Sequence, residues 1–410
     1  MSGTYKHAVS VTSQVYFCSA PIRIDSYDTC QFACVYCFSR DRSRRAASSG
    51  VHSASASALR QRFDRVNRGV IASALDEFLQ KRVPIQLGGL QDPFTHREAE
   101  DRVTLAVLRV LEEQKYPTLI STKGGLYLEP EYLDVLKRMN LVFRISASGI
   151  AENFRHLVDR KAAPFDITLE RIATLARAGI KVALRIQPVF PSFEAEALRM
   201  ATLAWQAGAS QVTFEYLKLP NDTVRAAIMD LKPNIGDVCG IMGEMGIKKT
   251  GPDWTLTADA KRPFVRQARN HCHALGLRFG AGDTEFIPWS DGNGCCGSSS
   301  LFLEANQFDT NFVGAIKHAM ANSPDIVSFS LFEDRWVPQH TVGHYMDYRS
   351  RVPIADRDGK SDWMQMLQRR WNGGRGPYSP GFFDGVQSSG RKDENGMTIY
   401  DATQLAAELA

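Results

Sequence analysis

The sequence lacks any long hydrophobic run, and it has few cysteines for a chain of 410 residues. No stretch of about 18 consecutive apolar residues occurs, so a transmembrane helix is not expected. The first residues contain no apolar segment of signal-peptide length, so we expect a cytoplasmic protein. Eight cysteines are too few for a disulfide scaffold of this size. In a chain that is not exported, their clustering indicates metal or redox chemistry instead.

Positive charge is in small excess overall and is concentrated in two segments. The net charge is +4, and 44% hydrophobic with 23% charged residues is typical of a globular protein. Residues 38–68 hold eight arginines and two aspartates, a local charge of +6, and residues 335–391 hold nine basic and five acidic residues. Arginine suits phosphates and stacks on bases. These segments indicate DNA or another nucleic acid as a partner, although a solvated basic surface would give the same counts.

Short β-branched strands alternate with amphipathic helices between residues 66 and 217. Including one earlier strand, six strands are predicted at residues 21–25, 83–87, 117–122, 141–147, 181–187 and 211–217. Helices are predicted at residues 97–114, 129–139, 166–178 and 194–207. This alternation predicts an α/β fold with a parallel sheet, and a complete or partial barrel is favoured because active-site loops then collect at the strand C-terminal ends.

Two parts of the chain are expected to differ in role. Residues 1–250 form the barrel, with an N-terminal strand and an Arg-rich loop at residues 39–65. Residues 251–410 form a C-terminal α+β extension in which a further helix (258–275) and strand (277–279) are predicted. Because this extension is rich in aromatic residues and arginine, we expect it to hold the substrate or act as a lid.

Cys30, Cys34 and Cys37 follow the first predicted strand with the spacing C-x3-C-x2-C. Thiolates are soft ligands that suit iron–sulfur clusters or zinc. Zinc ribbons and fingers use four ligands in two pairs, and no second pair lies nearby in sequence. Three cysteines on a four-iron cluster would leave one iron open to an external ligand. We predict that these cysteines bind a [4Fe–4S] cluster; the alternative is a metal site that only stabilises a binding module.

This motif, with Tyr36 as the aromatic residue before the third cysteine, resembles the signature of the radical S-adenosylmethionine (SAM) superfamily. The resemblance implies a partial (β/α)6 barrel whose open iron binds SAM. It further implies reductive cleavage of SAM to a 5′-deoxyadenosyl radical, which abstracts hydrogen from a substrate. An electron donor such as flavodoxin or ferredoxin would be a partner, and no membrane is involved.

More of the chain resembles the spore photoproduct lyase-like subgroup of that superfamily. The resemblance rests on Gly88-Gly89 at the end of the second strand, on Asp92-Pro93-Phe94 and on Ser121-Thr122-Lys123. It implies that the following residues contact SAM: Tyr36, Gly88, Gly89, Ser121, Lys123, Ser146, Ser148 and Arg185. The hydrogen-donor cysteine of spore photoproduct lyase is replaced by Gly89, so repair of the spore thymine dimer itself is not expected.

The substrate class follows from the resemblance together with the basic segments. We favour a modified thymine base in DNA, which would have to be flipped out of the duplex. A narrower version is a phage enzyme that rearranges or builds a carbon bond on a thymine 5-substituent. In that case the enzyme acts in a bacterial or phage-infected cytoplasm. The enzyme alternative is a radical SAM enzyme that acts on a peptide or a small molecule.

Cys295 and Cys296 are adjacent and flanked by glycine, far in sequence from the first cysteine motif. Vicinal cysteines can donate hydrogen atoms because the S–H bond is weak, and they can also form a redox pair or bind a second metal. The pair Cys295-Cys296 resembles a double cysteine in phage-encoded relatives of the subgroup. We treat both residues as catalytic candidates, with a structural role as the alternative.

Three other groups complete the candidates. Cys18 and Cys239 are predicted to be buried apolar residues. The sequence His271-Cys272-His273 cannot form a zinc site from one helix face, since adjacent positions point about 100° apart. Glu215 and Tyr216 are adjacent strand residues, so only one of them would face a barrel interior.

Overall fold

A sheet of eight strands, almost all parallel, forms the centre of the chain. A computed structural model describes residues 3–4, 9–39, 52–251, 253–298, 303–346, 361–373 and 379–410. Of the expected Arg-rich loop at residues 39–65, residues 40–51 lie outside the described residues. The expectation of a loop is wrong for its later part, because an α-helix capped by Ser55 begins at Ala56 and runs to Asn67. None of the described helices is long and apolar enough to cross a membrane.

The bounds of the described elements are as follows. The strands are β1 (Gly3–Thr4), β2 (Ser10–Val11), β3 (Ile22–Ile24), β4 (His52–Ser53), β5 (Ile85–Leu87), β6 (Thr118–Thr122), β7 (Leu141–Gly149), β8 (Lys181–Val189), β9 (Gln211–Tyr216), β10 (Ile247–Thr250), β11 (Asp253–Leu256), β12 (Arg278–Ala281), β13 (Gln387–Lys392) and β14 (Thr398–Asp401). The α-helices are Ala56–Asn67, Ala74–Gln80, His96–Asp101, Val103–Glu113, Pro130–Arg138, Glu152–Val158, Phe165–Arg177, Glu194–Gln206, Asp222–Met229, Lys232–Ile235, Val238–Met245, Ala258–Ala274, Phe312–Asn322, Asp362–Trp371 and Thr403–Leu409. Short 3-10 helices lie at Leu126–Leu128, Thr284–Trp289, Phe329–Phe332, Gly343–Tyr345 and Pro380–Phe382.

The strand order of the sheet places seven carboxyl ends at one edge. The order is β12-β9-β8-β7-β6-β5-β3-β2, and only β2 runs antiparallel to its neighbour. The central strands are buried on both faces, which explains their nearly continuous apolar sequences. Polar residues that follow the strands therefore meet at one edge, where ligands bind in parallel α/β sheets.

The two faces of the sheet have different partners. We call the face that carries Leu119, Val142 and Ala183 the inner face; these three residues pack with Ala20, Cys296 and Leu303 in a small apolar cluster. The opposite face carries Ile120, Phe143 and Leu184, which belong to the main core with the surrounding helices. The mostly parallel α/β sheet confirms the predicted fold class, a radical SAM-type partial barrel.

All six predicted strands are present, and the predicted strand at 277–279 forms β12, which pairs with β9. The division of the chain at residue 250 stays a prediction, although β12 joins the sheet from the later part. The helix predicted at 97–114 is two helices, separated by Arg102 at φ 55°. The buried Glu98 carboxylate explains the break, because it accepts hydrogen bonds from Thr104 N and Leu105 N at 2.7 and 2.9 Å.

The aromatic residues of the C-terminal extension pack inward. Trp363 and Trp371 are fully buried. The Trp363 ring stacks on Tyr16 at 5.3 Å, and Trp371 packs edge-on against Phe312 at 5.8 Å. Trp336 packs against Phe78 at 5.7 Å. The expectation that aromatic residues of this extension line a binding surface is therefore wrong for these three. Trp363 and Trp336 attach the extension to the barrel, and Trp371 packs inside the extension.

Candidate functional site

The loop at residues 25–39, which we call the cysteine loop, follows β3 at the edge where the parallel strands end. Its three cysteines carry free thiols. They lie close together, since the Cys30 and Cys37 thiols both raise the pKa of Cys34 and the Cys37 thiol raises the pKa of Cys30. Burial raises the pKa of Cys34 to about 12, and the nearby Lys123 ammonium acts against that rise. Burial also raises the pKa of Cys30, with Asp92 as the next contributor.

The three thiols of the cysteine loop fit an iron–sulfur cluster better than a single ion. Within the described ranges, no three His, Cys, Asp or Glu side chains are spaced to bind one metal ion. In a four-iron cluster each thiolate binds a different iron, so the sulfurs are spread around the cluster. The loop supplies three such sulfurs and leaves one iron for another ligand.

Four residues next to the cysteine loop form a connected set that we call the mouth network: Tyr36, Asp92, Lys123 and Asp159. Asp159 accepts hydrogen bonds from the Tyr36 hydroxyl and from Lys123 Nζ, the latter at 3.2 Å. Lys123 Nζ also lies 5.7 Å from the centre of the Tyr36 ring. Burial would raise the pKa of Asp159, but Lys123 and these hydrogen bonds hold it below its usual value. Lys123 is therefore a partly buried, ion-paired side chain and not a solvated loop charge.

The segment after β5 is held by carboxylates from two sides. Asp25 Oδ1 accepts hydrogen bonds from Leu90 N at 2.8 Å and from Gln91 N at 3.2 Å. Asp92 accepts from Thr122 Oγ1 at 2.7 Å, from the backbone N of Lys123 at 2.6 Å and from Phe94 N at 2.9 Å. Burial nevertheless raises the pKa of Asp92. These bonds fix the segment beside Cys30.

Gly88 adopts a conformation that other residues rarely reach. Its φ is +84°, and an added Cβ would lie 2.3 Å from the backbone oxygen of Ser121. A side chain at Gly88 would therefore push β5 and β6 apart. At Gly89 an added Cβ would lie 3.3 Å from Arg23 Cδ, so a larger residue there would fit only if the Arg23 side chain moved slightly. The two glycines allow the backbone to come close to the site edge.

The predicted strand residues differ in whether their polar groups already have partners. Ser121 Oγ is buried without a hydrogen-bond partner. The Ser148 hydroxyl accepts from Arg155 Nη1 at 3.4 Å. Ser146 is paired in register with Arg185 across β7 and β8. Arg185 Nη2 donates to Glu215 Oε2 at 3.1 Å, so Arg185 forms an ion pair on the inner face.

Cys295 and Cys296 lie against the inner face at its apolar end. The backbone oxygen of Cys295 accepts from Thr213 Oγ1 at 2.8 Å and from Gln211 Nε2 at 3.0 Å. An added Cβ at Gly280 would lie 2.7 Å from that oxygen, so the close approach requires glycine there. The Cys296 side chain is only 4% exposed and packs in the inner-face cluster.

Sequence reasoning missed three residues that the fold brings into this region. Cys18, predicted to be only a buried apolar residue, has its thiol pKa raised by burial and further by the neighbouring Cys296 and Cys295 thiols. Asp159 joins the mouth network from beyond the helix Glu152–Val158. Arg144 lies on the inner face near the three thiols. A charged residue inside an otherwise apolar predicted strand was the one signal that could have found Arg144.

The other candidates behave as the sequence predicted, except that Cys239 is only partly buried against the main core. His271 Nε2 contacts Thr202 Oγ1 at 2.9 Å, whereas His273 Nε2 contacts Asp291 Oδ1 at 2.8 Å, so the two rings point apart. Glu215 faces Arg185 on the inner face. The Tyr216 hydroxyl instead donates to Glu194 Oε1 at 3.1 Å.

A parallel α/β sheet with a three-cysteine loop after its first parallel strand defines the class of protein. Residues 24–203 match the family model of the Radical SAM superfamily. The chain therefore contains a radical SAM domain over these residues. This confirms the resemblance read from Cys30, Cys34, Cys37 and Tyr36. Enzymes of this superfamily use a [4Fe–4S] cluster and SAM.

Solved structures extend the comparison of the fold. A spore photoproduct lyase variant is similar with a TM-score of 0.50 at 16% identity, covering 68% of this chain and 80% of its own. A variant with bound AdoMet and dinucleoside spore photoproduct has a TM-score of 0.49 at 15% identity and the same coverage. Streptococcus suis SuiB bound to S-adenosylmethionine has a TM-score of 0.42 at 11% identity, covering 65% of this chain and 51% of its own. No curated protein sequence matches the chain significantly. At these identities the structural similarity concerns the fold alone.

Proposed function

We propose that this radical SAM enzyme acts on a nucleic-acid substrate, a modified thymine base in DNA, and that Cys30, Cys34 and Cys37 hold its [4Fe–4S] cluster. When bound, the cluster and SAM supply the 5′-deoxyadenosyl radical that abstracts hydrogen from the substrate. The observation that carries the cluster assignment is the cysteine loop at the carboxyl edge of the sheet, with its mutually interacting thiols. The phage-relative version of the proposal stays a prediction.

The mouth network would position the cofactors without reacting. Lys123 and Asp159 neutralise each other, and the Tyr36 hydroxyl fixes Asp159 from the cysteine loop. Gly88 and Gly89 let the backbone approach SAM. The unpartnered Ser121 hydroxyl is free to bond to it, whereas the Ser148 hydroxyl is already bonded to Arg155. Ser146 on β7 and Arg185 on β8 are paired in register, and both remain candidate SAM contacts.

Cys295 and Cys296 are proposed as hydrogen-atom donors to the substrate radical. They lie on the inner face, and Cys295 interacts electrostatically with Arg185 and Glu215. In the proposed step an S–H bond breaks and a C–H bond forms on the substrate. The sulfur radical would then be returned to a thiol by one electron from the flavodoxin- or ferredoxin-type donor and one proton from solvent. Burial raises the pKa of Cys295, which keeps it as the thiol that such a transfer needs.

The nucleic-acid assignment is supported chiefly by residues 40–45, which follow the cysteine loop directly and contain four arginines. Their structure lies outside the described residues. Three of the four later arginines of the same segment are already paired: Arg60 contacts Glu113 at 2.5 Å, and both Arg62 and Arg65 contact Asp76, at 2.7 and 2.6 Å. Charge that can meet phosphates is therefore expected mainly in residues 40–45.

The alternative substrate, a small molecule or peptide, is favoured by one observation. The C-terminal aromatic residues Trp363 and Trp371 are fully buried, so they do not offer faces on which bases could stack. A DNA substrate would need the arginines of residues 40–45 to bind its phosphates, whereas a small molecule would not. The following experiment distinguishes the two substrate classes.

Isotope transfer tests the proposed substrate. The anaerobically reconstituted enzyme is reduced with SAM and DNA that carries deuterium on the thymine 5-substituent. We expect deuterium to appear in 5′-deoxyadenosine, and a labelled peptide of equal length serves as the control. The absence of DNA binding at low salt, together with the absence of transfer from any 5-substituted thymine, would remove the nucleic-acid proposal and favour the small-molecule alternative.

A further inference from the structure

Arg144 is a buried cation on the inner face that has no acidic partner. It is 3% exposed, and its Nε has no hydrogen-bond partner. Its side chain donates to Gln86 Oε1 at a long 3.4 Å. Among the described residues it takes part in no ion pair. An unpaired buried charge is costly, so it is retained only where something else compensates it.

The nearest ionisable groups do not compensate Arg144. Burial lowers its pKa, and the neighbouring Arg185 guanidinium lowers it further because both are positive. Arg185 has its own partner in Glu215, and Glu215 also accepts from Lys218 Nζ at 2.6 Å. One carboxylate thus serves two cations, which leaves the inner face with excess positive charge around Arg144.

Two of the three thiols near Arg144, those of Cys18 and Cys295, do not supply the missing negative charge either. Burial raises the pKa of Cys18 and of Cys295 above that of a free thiol. Both are therefore protonated and neutral near pH 7. The Nε atom of Arg185 is also buried and unpartnered, so two guanidinium groups on adjacent strands have donors left over.

We propose that Arg144 and Arg185 bind an anionic group, a carboxylate or a phosphate, which the substrate carries onto the inner face beside Cys295 and Cys296. Two guanidinium groups offer the forked donors that suit either anion. The proposal rests on the proposed function, because it places the substrate next to the hydrogen donors. Thymine itself is neutral near pH 7, so on a nucleic-acid substrate the anionic group belongs to the 5-substituent of the base.

The anion site is tested first without substrate, by thermal unfolding of the reconstituted holoenzyme. Inorganic phosphate is compared with chloride at equal ionic strength. We expect phosphate to raise the midpoint of the wild-type enzyme, Arg144→Gln to lose that shift, and Arg370→Gln to keep it. Arg370 is a suitable control because it is 7% exposed and lies 4.2 Å from the Tyr16 ring, outside the sheet. Should Arg144→Gln fail to fold, Arg144→Lys keeps the charge and should show a reduced shift.

Two further measurements locate the anion. The affinity for SAM should be the same in Arg144→Gln and wild type; a loss there would assign the guanidinium to the SAM carboxylate and overturn the proposal. The SAM-loaded wild type should bind 5-carboxy-2′-deoxyuridine more tightly than thymidine, and Arg144→Gln should abolish the preference. Equal binding of the two nucleosides would reject a base substituent as the carrier. An equal phosphate shift in wild type and Arg144→Gln would reject the anion site itself, whatever the isotope-transfer experiment shows.

Discussion

The edge of the sheet and its inner face differ in how their charged side chains are paired. At the edge, Lys123, Asp159 and Asp92 each have partners within hydrogen-bond distance. Among the described residues, Arg144 on the inner face has no partner of opposite charge, and the Nε atoms of Arg144 and Arg185 have no hydrogen-bond partner. A satisfied network can hold a geometry by itself, whereas an unsatisfied one needs a ligand to complete it. We therefore expect the mouth network to position the cofactors, and the arginines of the inner face to bind the substrate.

Loss of the cluster is the largest effect expected at the edge. Cys34→Ala should remove most of the bound iron and abolish SAM cleavage, because each cysteine provides one of three protein ligands. Iron analysis and 5′-deoxyadenosine assays after anaerobic reconstitution measure both. Cys239→Ala is the matched control, since Cys239 lies in the distant helix Val238–Met245. Retention of four irons and full cleavage in Cys34→Ala would show that the cluster is held elsewhere.

On the inner face, a double Cys295→Ala and Cys296→Ala variant should behave differently from Cys34→Ala. Iron content and SAM cleavage should be retained, because these thiols lie away from the cysteine loop. Product should fall to a minor fraction or change in structure, since the substrate radical loses its hydrogen donor. Product analysis by mass spectrometry measures this outcome. A parallel loss of iron would instead make the pair ligands of a second metal site.

The mouth network should lose stability when one partner is removed. Lys123→Met leaves the buried Asp159 carboxylate uncompensated and should cost about 3–5 kcal/mol in the free energy of unfolding. The double variant Lys123→Met and Asp159→Asn should recover part of that loss, because both charges are gone. Denaturant titration of the two variants checks this. If the double variant were no more stable than the single, the pair would not be the cause.

The acid sensitivity of the same pair has a defined sign. The pKa of Asp159 is lowered in the folded protein, with burial opposing and Lys123 favouring the charged form. Its stabilising contribution is therefore fully present above the unfolded value of about 3.9. It is lost as the pH falls through the lower folded value. In the Asp159→Asn variant this pH-dependent part of the free energy of unfolding should be absent, as denaturant titrations at neutral and acid pH would measure.

The basic loop beyond the edge should affect binding but not cluster chemistry. Replacing Arg42, Arg44 and Arg45 with Ala should weaken DNA binding and flatten its salt dependence by up to about 2.7 in log–log slope, at about 0.9 per lost phosphate contact. SAM cleavage without DNA should stay unchanged. Anisotropy titrations across salt concentrations measure the slope. Wild-type affinity in the triple variant would show that these arginines only form a solvated surface.

The sequence predicted the sheet and the cysteine loop because both depend on local patterns. The strands show as short apolar runs, and the loop shows as three cysteines at fixed spacing. The mouth network was only half predicted, since Asp159 is paired with Lys123 through the fold and belongs to no motif. The aromatic residues of the extension were assigned to a surface because composition does not say which side of an element is buried. Trp363 and Trp371 are instead fully buried in the structure.

Two neighbouring hydroxyls on β6 offer the finest test of the contrast between edge and inner face. Ser121 Oγ is unpartnered, so Ser121→Ala should leave stability within about 0.5 kcal/mol of wild type. If Ser121 binds SAM, the variant should raise KM for SAM by roughly two- to tenfold, the value of one hydrogen bond. Thr122→Val is the matched control, because Thr122 Oγ1 donates to Asp92 at 2.7 Å and accepts from Gly124 N at 2.8 Å. That variant should lose about 1–3 kcal/mol of stability, because buried partners are left unsatisfied. An unchanged KM in Ser121→Ala would remove Ser121 from the SAM contacts, and a large stability loss there would mean that its hydroxyl is bonded within the fold after all.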